Sequence, residues 1–365
     1  MKILETHKTI KIVDTTLRDG EQTPGVSFTL EDKIRIAAML ADASVDEVEA
    51  GIPAMGDRVQ EDIRELVRLG LPCRLTSWCR AAAKDIAAAR RCGTSGLHIS
   101  FPVSPTHLRV MERDETWVLK ELEHLVPLAR WDFDYITVGA QDATRADTAF
   151  LGSFLNLAAD LGASRVRIAD TVGISYPVAV YRIIRSLRRV RPRMSLEFHG
   201  HNDLGMATAN TISAIMAGVS AVNVTVNGLG ERSGNTALEE VVQGIKFIDG
   251  YRSNIEEKKI MSICRYVAEA SGRPIPPGKP VTGSDVFTHE SGIHCAALLK
   301  DPLSYQPFLP ETVGREGFRF ALGPHSGSSA IQYMLAQAGI NVSIEDAARF
   351  REMLSNHFIN SAMSG

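Results

Sequence analysis

Short runs of β-branched and apolar residues alternate with longer amphipathic stretches along the first two-thirds of the chain. The runs 9–14, 45–52, 73–78, 96–101, 135–140, 165–170, 195–199 and 221–226 predict strands. The stretches between them predict helices. Val59, Ile63, Leu66 and Val67 fall at i, i+4, i+7 and i+8, one stripe of a helix. Thr29, three residues before Asp32, predicts a helix N-terminus, and Gly162 and Gly218 predict helix stops. Strict strand-then-helix alternation implies parallel strands joined by right-handed crossovers. Eight such units predict an α/β fold, a closed (β/α)8 TIM barrel. An open doubly wound sheet would call for a GxGxxG turn after an early strand, which Leu17–Gly20 does not supply.

After about residue 255 the alternation stops. SGRPIPPGKP at 271–280 reads as a linker, followed by a smaller, mostly helical region holding the polar cluster THESGIH at 288–294. The expected division is a catalytic barrel over 1–255 and a linker with a helical subdomain over 256–365 that contributes to the active site. With 40 basic and 43 acidic residues the net charge is −3, so no nucleic-acid or anionic-membrane partner is expected. Arginines concentrate between Arg182 and Arg193, read as a solvated helix face with phosphorylated-ligand binding as the lesser reading. Five cysteines without CxxC spacing, and no signal-like or membrane-spanning apolar stretch, lead to the expectation of a reduced, cytoplasmic protein.

In a barrel of this kind reactive side chains sit at the C-terminal ends of strands. Polar clusters fall there: Asp14 to Gln22 after the first strand, His199 to Asp203 after the seventh, and Asn227 to Asn235 after the eighth. His199 and His201 are two apart on a strand, so their imidazoles share a face and could grip one metal ion. Asp19 and a carbonyl oxygen such as that of Asn235 could complete a shell suited to Zn2+, Mn2+, Fe2+ or Mg2+ as a Lewis acid. Arg18 could hold a carboxylate or stabilise developing negative charge. Thr171 could hydrogen-bond a substrate carboxylate or cap a helix.

DTTLRDGEQ at 14–22, HGHNDLGMATAN at 199–210 and NVTVNGLGERSGN at 223–235 resemble signatures of the acyl-CoA/2-oxo-acid condensing synthases. That family includes the 2-isopropylmalate, citramalate and homocitrate synthases, with HMG-CoA lyase a more distant relative. GIPAMGD (51–57), SWCR (77–80), VFTHESGIH (286–294) and the compact length are most similar to the homocitrate synthases of nitrogen-fixing bacteria. The resemblance implies condensation of acetyl-CoA with 2-oxoglutarate, a divalent metal (Mg2+, Mn2+ or Zn2+), and a homodimer with shared active sites. It implies metal ligands at Asp19, His199, His201 and Asn235, and Arg18 and Thr171 as substrate contacts. Arg18 would also be catalytic, and His294 with Tyr305 would assist enolisation or hydrolysis.

Two departures stand out. Gln141 occupies a position where the family carries glutamate, and an amide cannot accept a proton. Pro324, in LGPHSG, replaces a lysine. The competing readings are a synthase for another 2-oxo acid (2-isopropylmalate, citramalate, citrate or phosphonomethylmalate type), an HMG-CoA-lyase-like enzyme, and a non-catalytic metal-binding regulator.

Overall fold

The computed structural model describes residues 7–323 and 325–363. Eight parallel strands close into a barrel in chain order, as the alternation predicts. They are β1 (Lys11–Asp14), β2 (Glu47–Gly51), β3 (Arg74–Arg80), β4 (Gly96–Pro102), β5 (Tyr135–Gln141), β6 (Arg165–Asp170), β7 (Leu196–Gly200) and β8 (Ala221–Val224). β1 seals the ring against β8, with Lys11 level with Ala221 and Asp14 level with Val224.

Local signals account for the helices between them. Thr29 Oγ1 accepts the Asp32 amide at 3.1 Å while Asp32 Oδ2 accepts the Thr29 amide at 3.0 Å, a reciprocal cap on the helix Leu30–Asp42. The helix Asp57–Arg68 buries Ile63 and Leu66 completely. Gly218 ends the helix Ala207–Ala217 at φ 110°, a conformation that a Cβ would strain.

The run 9–14 divides in two. Lys8–Thr9 pairs with Tyr251–Arg252 outside the barrel, and only after the buried Ile10 does the chain move across to Ser220 and enter the ring. At the other end the strand expected over 221–226 stops at Val224. Asn227, at φ 59°, bends the chain into a tight turn, where Glu239 accepts its amide and Cys264 O accepts its side chain.

The chain forms two compact units, Met1–Glu256 with Ile263–Pro274 and Glu257–Ser262 with Ile275–Gly365. The second is largely helical, with helices Gly292–Leu298, Ser328–Gln337 and Ile344–Met363 and a small core of Cys295, Leu298, Phe320 and Ala330. Pro324 lies outside the described residues. Among the described residues no helix is long and apolar enough to cross a membrane.

Candidate active site

The barrel interior carries charge. Glu47 and Glu49 on β2, Arg165 and Arg167 on β6, and Glu197 and His199 on β7 are pairs two residues apart, so each pair points to one face. All five ions are at most 3% exposed. They alternate in sign along a continuous ladder. Glu47 meets Arg165 at 2.9 Å, Arg165 meets Glu197, Glu197 meets Arg167 at 2.6 Å, and Arg167 meets Glu49. Glu49 then takes Arg18 Nε at 2.7 Å, and Arg18 Nη1 reaches Asp19 at 3.0 Å. Burial alone would raise the Glu49 carboxyl; Arg167 and Arg18 outweigh it and hold the group below its ordinary value.

The ladder ends at a cluster able to hold a metal. Asp19 Oδ2 lies 3.2 Å from His199 Nε2 and 3.9 Å from His201 Nε2, and the two Nε2 atoms are 3.1 Å apart. Two nitrogens each about 2.1 Å from one ion stand roughly 3.0–3.4 Å apart, which is the spacing seen. Burial opposes charge on Asp19, yet Arg18 and the two histidines keep its carboxyl well below the carboxylate range. Burial, reinforced by His199, pushes His201 down to about 4, so it is neutral at physiological pH, the form that ligates metal. Asn235 Oδ1 is buried without a hydrogen-bond partner. Asn235 is fixed nearby, bridging His201 through the backbone and donating its Nδ2 to Leu229 O at 2.9 Å. An orphaned oxygen beside a carboxylate is a group that a bound cation would satisfy.

Arg18, Asp19, Gln141, Thr171, His199 and His201 all line one cavity of about 220 Å³. Thr171 Oγ1 accepts the Asp142 amide at 2.8 Å, so its own proton is left to donate. It caps no helix; Tyr176 starts the helix that follows. Trp78, within SWCR, shares the wall with His98, Ser100 and Arg167, which the motifs did not single out. His98 Nδ1 pairs with Thr137 Oγ1 at 2.8 Å, and burial among arginines keeps its imidazole neutral. A Cβ at Gly139 would come within 2.6 Å of His98 Nε2, so only glycine leaves this ring its place. The alternating Glu-x-Glu and Arg-x-Arg of β2 and β6 put charges on one face of each strand, a signal that marks the members of the ladder without selecting their partners. His294 and Tyr305 belong to the second unit, where their exposed rings stack at 4.0 Å.

Residues 9–267 match the family described as HMGL-like, and residues 281–357 match the homocitrate synthase post-HMGL domain-like family. A 2-isopropylmalate synthase 2 of Caldanaerobacter subterraneus is 42% identical over 93% of this chain and 88% of its own length. A homocitrate synthase of Frankia alni is 41% identical over 92% and 95%. The chain belongs to the HMGL-like family of 2-oxo-acid synthases. Among further HMGL-like relatives is an (R)-citramalate synthase of Methanocaldococcus jannaschii, 40% identical over 94% of this chain and 70% of its own. The crystal structure of a hydroxymethylglutaryl-CoA lyase from Pseudomonas aeruginosa, 20% identical, superposes with TM-score 0.65 over 74% of this chain and 96% of that one; it shares the fold.

Proposed function

We propose that this chain is a cytoplasmic, acetyl-CoA-dependent synthase of the nitrogen-fixation homocitrate type. It joins acetyl-CoA to 2-oxoglutarate and, with one water, releases homocitrate and CoA. One observation carries the choice of acceptor: beside the Asp19–His199–His201 cluster the cavity wall sets His98, Ser100, Gln141 and Arg167 among the apolar Ile52, Trp78 and Ala169. The polar part of this wall suits a second carboxylate, to which an isopropyl group offers no hydrogen-bonding counterpart.

A divalent ion held by Asp19, His199, His201 and Asn235 would polarise a chelated keto group. Arg18 spends two nitrogens on Glu49 and Asp19, which fixes its plane and leaves the rest of the guanidinium for substrate carboxylate or developing alkoxide. Thr171 donates its hydroxyl proton to the substrate's carboxylate. His294, with Tyr305 stacked on it, takes the methyl proton of acetyl-CoA in this reading. The relatives named for 2-isopropylmalate and citramalate synthesis favour a second reading with another 2-oxo acid as acceptor. A free-thiol assay of CoA release, with divalent metal and a panel of 2-oxo acids, separates them. Turnover with 2-oxoglutarate alone is expected. Turnover only with pyruvate or 2-oxoisovalerate would replace the acceptor, and none with any acid would favour a regulatory relative.

Gln141 lines this cavity but offers no proton acceptor. Gln141→Glu is expected to raise kcat about tenfold, part of the ~100- to 10,000-fold that a positioned base contributes. The effect should fall on kcat more than on the KM for the oxo acid, with the activity profile moved to lower pH. An unchanged or lower kcat would show that glutamine is adapted to the site. The same reading includes a homodimer in which His294 serves the partner's barrel. Mixing inactive Arg18→Ala and His294→Ala chains should then restore activity through hybrid dimers. No recovery despite demonstrated subunit exchange would exclude shared sites.

A further inference from the structure

No aspartate or glutamate occurs between Asp170 and Glu197, while six arginines do: Arg182, Arg185, Arg188, Arg189, Arg191 and Arg193. In a chain of net charge −3 this is a concentrated basic segment. It covers the helix Pro177–Val190 and the turn into β7. Arg191 is paired with Asp160. Arg188 donates to Met194 O at 2.7 Å, answering a carbonyl beyond the helix's end, the ordinary task of a cation there. Arg185 and Arg193 do neither: both are exposed and, among the described residues, neither has a carboxylate partner.

These two guanidiniums, with Arg188 and Lys8, line a cleft of about 530 Å³. The cleft lies at the end of the barrel opposite the metal cluster, since Ile10, Ser195 and Ser220 in its wall immediately precede β1, β7 and β8. Its lining contains four cations and no acid. The remainder is mixed: Ile10, Met194, Met216 and Val219 are apolar, Tyr251 adds a half-buried ring, and Ser195 and Ser220 share a hydrogen bond at 2.5 Å. Two helices also end here, and their carbonyl ends repel anions by a few tenths of a kcal/mol to about 1 kcal/mol each. Several cations around one cleft outweigh that contribution at moderate salt.

We infer that this cleft is a second binding site, for a nucleoside phosphate. The phosphates would sit among Lys8, Arg185 and Arg193, and the base would lie over the apolar floor beside Tyr251. A volume of this size admits such a ligand. The site lies outside the reaction centre, so its occupant would act as an effector.

The test is calorimetric titration of the full-length protein with ADP, inorganic pyrophosphate and adenosine, in wild type and in Arg185→Glu/Arg193→Glu. The double variant alters only exposed side chains and should keep acetyl-CoA turnover, so a change in ADP binding reports on the cleft. Saturable ADP binding is expected, weaker with added salt and at least about tenfold weaker in the double variant. Pyrophosphate should bind less tightly than ADP, and adenosine not measurably. Absence of saturable ADP binding, or equal binding by wild type and variant, overturns the proposal. So does adenosine binding as tightly as ADP. Pyrophosphate matching ADP would overturn the part assigned to the base.

Discussion

Alanine at His199 or His201 is expected to lower kcat by about three to four orders of magnitude while leaving the barrel folded. Each removes an imidazole nitrogen from a three-group cluster whose nearest ligand atoms are 3.1 Å apart, with Asp19 held anionic by Arg18. A Lewis-acidic ion contributes several kcal/mol to a developing oxyanion, and each ~1.4 kcal/mol is tenfold in rate. Elemental analysis should find the metal content per chain sharply reduced in either variant. Far-ultraviolet dichroism should match that of chelated wild type. Full turnover in the double variant, or in exhaustively chelated enzyme, would remove the metal from the mechanism.

Glu197→Leu is expected to be the most destabilising single change in the barrel interior. Glu197 is fully buried and is shared by two arginines, Arg165 and Arg167. Its loss leaves both guanidiniums with one carboxylate each, Glu47 and Glu49, away from water. Removing one partner of a buried pair costs about 3–5 kcal/mol. For a unit of this size that lowers Tm by roughly 6–20 °C. Urea or thermal unfolding checks it, and a loss under about 1 kcal/mol would mean that water or a rearranged neighbour replaces the carboxylate.

The barrel was legible because each strand and helix announces itself locally. The stripe Val59, Ile63, Leu66 and Val67 and the cap at Thr29 need only neighbours a few residues away. The meeting of Asp19, His199 and His201 was legible for a related reason: the two histidines are two apart at the end of one strand, and strand ends in this fold converge. The ladder was not. Arg165 meets Glu47, and Arg167 meets Glu49, across 118 residues of sequence, and no local pattern selects those partners. The hydrogen bonding of Thr171 depended on Asp142, whose left-handed backbone (φ 62°) directs its amide onto the threonine hydroxyl and leaves that hydroxyl a donor. The division of 9–14 into two strands was hidden because an extended run looks the same whichever partner it pairs with.

The alternating ladder also governs how this barrel responds to heat. A barrel filled with aliphatic layers draws its strength from burying apolar surface, a contribution that levels off on warming. Charges withdrawn from water behave in the opposite sense, because their hydration becomes less favourable as temperature rises, so their confinement costs less. Seven side chains from Glu47 to Asp19 are linked end to end by shared partners. The cost of confining these charges in the interior therefore falls on warming, while the apolar packing of the surrounding helices gains nothing comparable. The helical shell and the loops should soften first, while Arg18 stays anchored from below until the whole ring opens.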